Sequence, residues 1–120
     1  MTMAFELYKK DTLRFEIEGS EIELDVSRLT ATESLQMNSR ISRIDPELSN
    51  IDEQGQLIEI YMDLLTTIVN DVRGIHGLDS WPEEPDARRT ILNLCGFDFV
   101  FAAAISYRNS ANVQEGEEGK

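Results

Sequence analysis

The residues most capable of chemistry in this chain lie in one short loop. His76, the only histidine, is followed by Asp79 and Ser80, and these are the three residue types of a nucleophilic serine site. No Gly-x-Ser-x-Gly pattern surrounds Ser80, so the sharp turn that exposes such a serine is not predicted. A single histidine also lacks the second histidine or nearby cysteine that a transition-metal site needs. We therefore interpret His76 as an ordinary loop residue and predict a protein that is not an enzyme and uses no cofactor or metal.

Carboxylates are the most abundant ionisable groups, and four of them alternate with apolar residues within residues 13–26. They are Glu16, Glu18, Glu21 and Glu23. Such alternation is typical of a strand with one buried face. It spreads the carboxylates over the opposite surface and does not pair two of them in a buried acid–base site. We predict that these four glutamates form an acidic surface that contacts a protein partner.

The same segment predicts a β-hairpin. Gly19-Ser20 is a typical two-residue loop, because glycine tolerates the positive φ of a primed turn. Folding about this loop places three apolar pairs on one face: Ile17 with Ile22, Phe15 with Leu24, and Leu13 with Val26. The opposite face then pairs Glu18 with Glu21, Glu16 with Glu23, and Arg14 with Asp25. Alternation at Met3, Phe5 and Leu7 leaves open a third short strand beside the hairpin.

Length and charge limit the remaining function classes. A chain of 120 residues fits one domain, which we place at residues 1–109, followed by a disordered acidic tail at 110–120. The net charge of −12 repels nucleic acid phosphates and anionic lipid head groups, so we expect neither nucleic acid nor a membrane as a partner. No apolar run reaches the roughly 18 residues that span a bilayer. With no secretory signal pattern and one cysteine, Cys95, in an apolar context, we expect a cytoplasmic protein.

Helices are predicted for most of the remaining chain. Thr30-Ala31-Thr32-Glu33 matches a capping box and predicts a helix over 30–44, ended by Pro46. Residues 52–72 carry two adjacent apolar stripes at helical spacing, which predicts a long, largely buried helix. These broad stripes, together with Ala102 to Ala104, exceed what we expect one small domain to bury, so self-association to a homo-oligomer is left open.

The C-terminal region predicts one further helix beginning at Pro82 or Asp86 and ending at Asn93, then another over 99–108. The alternative is one long helix kinked at Gly96. In the fourth helix the spacing of Phe97, Phe101, Ala104 and Ile105 predicts that these four side chains point inward. The expected fold class is therefore α+β and mostly α, with an N-terminal hairpin packed on three to four helices.

Aromatic residues near the C-terminus allow two interpretations. Trp81 either covers the core or serves as an exposed anchor for a protein partner, because tryptophan is enriched in interface hot spots. Phe97 and Phe101 either belong to the core or form a subunit contact. We include Trp81, Phe97 and Phe101 among the candidate protein-interaction residues.

The order of these elements resembles the small tail assembly chaperones of long-tailed bacteriophages. The matching parts are the hairpin at 12–26, the helix entry Leu29-Thr30-Ala31-Thr32-Glu33, the apolar helix at 56–72 and the ending Glu117-Glu118-Gly119-Lys120. The resemblance implies a mostly helical protein without catalytic residues. Such a protein binds the tape-measure protein, helps recruit tail-tube subunits, and acts in the host cytoplasm. A longer product made by ribosomal frameshifting near the C-terminus often accompanies it.

Two further functions compete with this one. The carboxylates at positions 16, 18, 21, 23 and 25 could imitate a phosphate row, which predicts an acidic inhibitor of a DNA- or RNA-binding protein. A small enzyme that uses His76 is the third hypothesis.

Overall fold

The computed structural model describes the backbone of residues 10–118 and the side chains of residues 10–110. In chain order the elements are β1 (Lys10–Ile17), β2 (Ser20–Ser27), α1 (Ala31–Ser42), α2 (Asn50–Ile68), β3 (Val69–Arg73), α3 (Pro85–Cys95) and α4 (Phe97–Glu118). The three strands form an antiparallel sheet in the order β1-β2-β3. The fold is therefore α+β and mostly α, as predicted.

The hairpin forms, but its turn lies one residue earlier than predicted. Ile17 pairs with Ser20, so the two-residue loop is Glu18-Gly19, and both loop residues have positive φ (52° and 80°). Two successive positive φ angles are the geometry of a type I′ turn, whose twist matches that of the strands. Gly19 at the second loop position tolerates this geometry without strain, which favours this turn over Gly19-Ser20.

The earlier turn changes every cross-strand pair without exchanging the faces of the sheet. The register shifts by two residues, which is one side-chain period, so the apolar residues stay on the inner face. Phe15 now faces Ile22 and Leu13 faces Leu24, while Arg14 faces Glu23. The predicted register placed two pairs of glutamates opposite each other. The observed register has one such pair, Glu16 with Glu21.

The third strand does not come from the N-terminus. The predicted strand at Met3, Phe5 and Leu7 lies outside the described residues. Instead, α2 ends at Ile68, short of the predicted end at Val72, and the chain continues directly as β3. Residues 69–72 fit a helical period, but pairing with β2 satisfies their backbone groups and the β-branched Val69 and Val72 favour extended backbone.

Local signals fix the starts of α1 and α2. Thr30 Oγ1 accepts a hydrogen bond from the amide of Glu33 at 3.1 Å, and the Glu33 carboxylate accepts one from the amide of Thr30 at 3.0 Å. This is the predicted capping box. Ser49 caps α2 in the same way, by accepting a hydrogen bond from the amide of Asp52 at 3.3 Å.

Gly96 separates α3 from α4. Its φ is 97°, and the axes of Pro85–Cys95 and Phe97–Ser110 differ by 112°, so the alternative of one kinked helix is wrong. α4 begins earlier than predicted, at Phe97, and its backbone continues to Glu118. Its side chains beyond Ser110 lie outside the described residues, and the disorder of the tail at 110–120 stays a prediction.

The core lies between the inner face of the sheet and the helices. Leu24, Leu65, Ile68, Val69 and Val100 are among the most deeply buried side chains. α4 packs against β1 through an edge-to-face contact between Phe99 and Phe15, whose ring centroids are 5.4 Å apart. The two apolar stripes of α2 are thus largely covered within the chain.

Gly74, directly after β3, is required for the close approach of that segment to the hairpin. Its φ is +100°, and a Cβ at this position would overlap the backbone oxygen of Glu21. We predict that Gly74→Ala lowers the free energy of unfolding by about 2–4 kcal/mol, because backbone strain adds to the overlap. Chemical denaturation measures this change. Gly77→Ala is the matched control, since Gly77 also has positive φ (+93°) but nothing within 4 Å of its Cβ position. Equal losses for the two variants would contradict the proposed close approach.

Glu18 occupies a left-handed conformation that glutamate adopts poorly. We predict that Glu18→Asn raises the free energy of unfolding by about 0.5–1 kcal/mol, because asparagine tolerates this conformation far better. Thermal or chemical denaturation checks the gain. Glu18→Gln removes the same charge without relieving the strain, so an equal gain in that variant would assign the effect to electrostatics instead.

Candidate protein-interaction surface

The outer face of the sheet carries the predicted acidic residues, but two arginines also lie on it. Arg14 Nε donates to Glu23 at 3.0 Å. Arg73, on β3, donates from both terminal nitrogens to Asp25, at 2.7 and 2.9 Å, and its Nε lies 3.9 Å from Glu23. Arg73 thus ties the two last strands together. Glu23 is therefore an ion-paired residue and not a free carboxylate.

Asp25 is the most strongly perturbed carboxyl on this face. Hydrogen bonds from Arg73 and from the Thr12 hydroxyl (2.9 Å) lower the pKa of Asp25 from 3.8 to about 2. Both partners favour the ionised form. A lowered pKa of this origin indicates a structural ion pair. It is not the raised pKa of a general acid.

The other three predicted acidic residues remain exposed. Glu16 and Glu21 face each other across the hairpin, and Glu18 lies in the turn at its tip. Like charges on directly opposed residues are mildly destabilising. The uncompensated negative charge of the hairpin is thus concentrated toward its turn.

Trp81 lies in the core and not at the surface. It is 9% exposed, and its indole Nε1 donates to the carbonyl of Val69 at 3.0 Å. The guanidinium carbon of Arg88 lies 5.6 Å from the centre of its ring, within range of a cation–π contact. This geometry corresponds to the interpretation of Trp81 as a cover for the core.

Phe97 and Phe101 are brought together on α4. Their rings stack with centroids 4.3 Å apart, and Phe101 also makes an edge-to-face contact with Tyr61 at 5.1 Å. Ile105 follows at the same four-residue spacing, which places all three side chains along one side of the helix. Phe97 is 42% and Ile105 45% exposed. We call Phe97, Phe101 and Ile105 the α4 ridge.

The α4 ridge corrects the predicted orientation of this helix. Of the four side chains expected to point inward, Ala104 is buried and Phe101 packs partly against the core, but Phe97 and Ile105 are exposed. The buried face consists of Phe99, Val100, Ala103 and Ala104. Because α4 carries apolar side chains on more than one side, helical spacing alone does not report which side is buried. Leu94, three residues before Phe97 at the end of α3, is 81% exposed and was not identified from the sequence.

A polar network on α2 was also missed. Asp63 accepts a hydrogen bond from Arg40 of α1 at 2.6 Å and another from Arg89 of α3, which also pairs with Glu59. The face of α2 that carries Glu59 and Asp63 is therefore linked by ion pairs to α1 and α3. The sequence features that indicate this network are the two acids four residues apart on α2 and the arginines on the neighbouring helices α1 and α3.

A recess of about 190 Å³ lies between α1 and α2. Leu29, Met37, Ile60 and Leu64 supply its apolar lining, and Arg40 borders it. Small-molecule sites usually have volumes of about 300–1,000 Å³, so this recess is small for such a ligand. His76 and Ser80 are exposed in the loop after β3 and do not line it.

Cys95 and a metal site are the remaining candidates for chemistry. Burial raises the pKa of the Cys95 thiol, which disfavours the reactive thiolate. Over residues 10–110, no group of three or more histidine, cysteine or carboxylate side chains is arranged to hold a metal ion. In the same part of the chain no single helix is both long and apolar enough to cross a bilayer, and α3 with α4 reaches that length only across their bend.

Comparison with protein-family models, with curated proteins and with solved structures finds no match to this chain.

The ion pair between Arg73 and Asp25 predicts a specific pH dependence of stability. The pKa of Asp25 is lower in the folded chain, so this pair stabilises the fold above about pH 4, and the contribution is lost as the pH falls through 2. In Arg73→Met the carboxyl pKa of Asp25 should rise toward 3.8, and the loss of stability between pH 4 and pH 2 should be smaller. NMR titration of Asp25 and unfolding at each pH measure both quantities. Arg43→Met removes a charge elsewhere and should change neither; an unchanged titration in Arg73→Met would refute the pairing.

Proposed function

We propose that this protein is a non-enzymatic assembly chaperone that binds the tape-measure protein of a long-tailed bacteriophage in the host cytoplasm and helps recruit tail-tube subunits. The observation that carries the proposal is the α4 ridge, a row of large apolar side chains in which Phe97 and Ile105 are exposed, on a strongly acidic chain. The order of the elements is a hairpin, two helices, a third strand and two further helices. Apart from that third strand, it keeps the order on which the resemblance to small tail assembly chaperones rests.

The α4 ridge has the shape of a helix-binding surface. Its residues are spaced four apart, so it extends for about 12 Å along α4 at 1.5 Å per residue. An amphipathic partner helix can lay its apolar face along such a row, with side chains of each helix between those of the other. Leu94, three residues before Phe97 at the end of α3, is a further exposed apolar side chain.

The strength of such contacts suits a chaperone. Complete burial of a large apolar side chain stabilises a complex by roughly 1.5–3 kcal/mol. Association costs several kcal/mol, because the partners lose translational and rotational freedom. A few partly exposed side chains therefore give reversible binding and not a permanent complex. Such reversibility fits an assembly role in which binding is temporary.

The acidic composition serves the same role. Long helical proteins with exposed apolar stretches aggregate unless those stretches are covered. A partner with a net charge of −12 covers them and keeps the complex in solution through charge repulsion between complexes. This use of charge needs no particular arrangement of carboxylates.

The alternative, an acidic mimic of nucleic acid, has less support from the geometry. It needs a row of free carboxylates, but Glu23 and Asp25 are paired with Arg14 and Arg73. Glu18 lies in the turn, so within the predicted row Glu16 and Glu21 are the unpaired carboxylates that lie on the strands. Binding to a basic nuclease or repressor that weakens steeply with salt would favour the mimic.

Substitutions on the α4 ridge test the proposal. We predict that Phe97→Asp and Ile105→Asp each weaken binding to the tape-measure protein by about tenfold or more, because each places an unpaired charge in an apolar contact. Co-expression with the tape-measure protein and measurement of its soluble fraction check this.

Ile51→Asp is the matched control, since Ile51 is 80% exposed but lies at the start of α2. The proposal fails if wild-type protein does not raise the soluble fraction, or if the three variants behave alike. Circular dichroism verifies that each variant is folded.

A further inference from the structure

The two edges of the sheet differ in how well they are protected. β3 is short, carries one extra residue, Asn70, between the partners of Asp25 and Val26, and has the carbonyl of Val69 occupied by Trp81. Short length and irregular pairing discourage further strands from joining an edge. β1 is eight residues long and pairs with β2 without interruption. Within residues 10–118 no other strand pairs with its outer edge.

The turn determines which backbone groups of β1 point outward. In a two-residue hairpin the residues that flank the loop form a hydrogen-bonded pair, here Ile17 with Ser20, and such pairs alternate along the ladder. Ile17, Phe15, Leu13 and Asp11 therefore direct their N–H and C=O groups to β2. The intervening residues direct theirs away from the sheet, and these are Lys10, Thr12, Arg14 and Glu16.

We propose that this edge pairs with the same edge of a second copy, so that two antiparallel β1 strands, related by a two-fold axis at Leu13, join the sheets of two protomers. In this register the outward groups of Thr12 meet those of Arg14 of the second copy, and the groups of Lys10 meet those of Glu16. The contact uses β1 and not the α4 ridge, so it is independent of the partner proposed above.

Charge selects this register over its neighbours. With the axis at Leu13, Lys10 faces Glu16 of the second copy twice, once on each side of the axis, and like charges do not face each other. Moving the axis to Thr12 places Lys10 opposite Arg14 of the second copy. Moving it to Arg14 places this residue opposite its own copy. Both registers are disfavoured, because two positive charges face each other. An axis at Phe15 also places charges of opposite sign across from each other. That register pairs only residues 13–17, however, whereas the axis at Leu13 pairs residues 10–16.

The inner face is compatible with this junction. Leu13, which is 5% exposed, meets its own copy at the axis, so the apolar inner surfaces of the two sheets become continuous. Asp11 and Phe15 face each other at either end of that contact. Asp11 is exposed at the end of the strand and remains in contact with solvent there.

A charge exchange tests the proposal. Sedimentation equilibrium at low salt over a concentration series should show a monomer–dimer equilibrium for the wild-type chain. Lys10→Glu and Glu16→Lys should each raise the dimer dissociation constant by about tenfold, because each places like charges in two symmetric contacts. The double variant should return it to within about threefold of wild type, since the pair is restored with its signs exchanged.

A proline tests the backbone contact separately. Arg14→Pro removes an N–H that points away from β2, so the hairpin keeps its own hydrogen bonds, whereas pairing with a second copy is blocked. We expect this variant to be a folded monomer by circular dichroism and sedimentation. A wild-type chain that is monomeric throughout, a double variant that is not rescued, or a dimer that survives Lys10→Glu but not Phe97→Asp would each overturn the proposal.

Discussion

The packing of one face of α4 against the rest of the core is the constraint on which the other features depend. Ala103 and Ala104 are fully buried and Val100 is 1% exposed, and side chains this small let the helix backbone approach its neighbours closely. A helix has 3.6 residues per turn, so committing this face to the core leaves Phe97 and Ile105 on the outside. The candidate binding surface is therefore a direct consequence of the way the core is closed.

Arginines organise the acidic surface of the protein. Arg73 holds Asp25 on the outer face of the sheet, and Asp63 of α2 receives Arg40 and Arg89 from the two neighbouring helices. Exposed ion pairs of this kind contribute about 0–1 kcal/mol each, so they orient elements that apolar burial already holds together. In the whole chain acids outnumber bases by 23 to 11, and this excess supplies the net negative charge that keeps an apolar ridge compatible with solution.

Features encoded by neighbouring residues were predictable, and features decided by tertiary contacts were not. The capping box of Thr30 and Glu33 needs only residues three apart, and the sequence predicts it correctly. The hairpin and its inner face follow from alternation, but two turns one residue apart preserve that face, so alternation alone cannot set the register. β3 was predicted as the end of α2, because pairing with β2 is a tertiary contact that ends the helix at Ile68. The inward face of α4 was predicted only in part, because α4 is apolar on more than one side. The sequence pattern identified Phe97 and Phe101 as candidates. Phe101 packs partly against the core as expected, whereas Phe97 was expected to point inward and is exposed.

Hydrogen exchange, followed by mass spectrometry with and without the tape-measure protein, tests most directly whether the α4 ridge is the binding surface. The account predicts slower exchange on binding at the end of α3 and the first two turns of α4, where Leu94, Phe97 and Phe101 lie, and little change in the hairpin. Slower exchange confined to the hairpin would contradict the account and would favour recognition through the acidic face of the sheet.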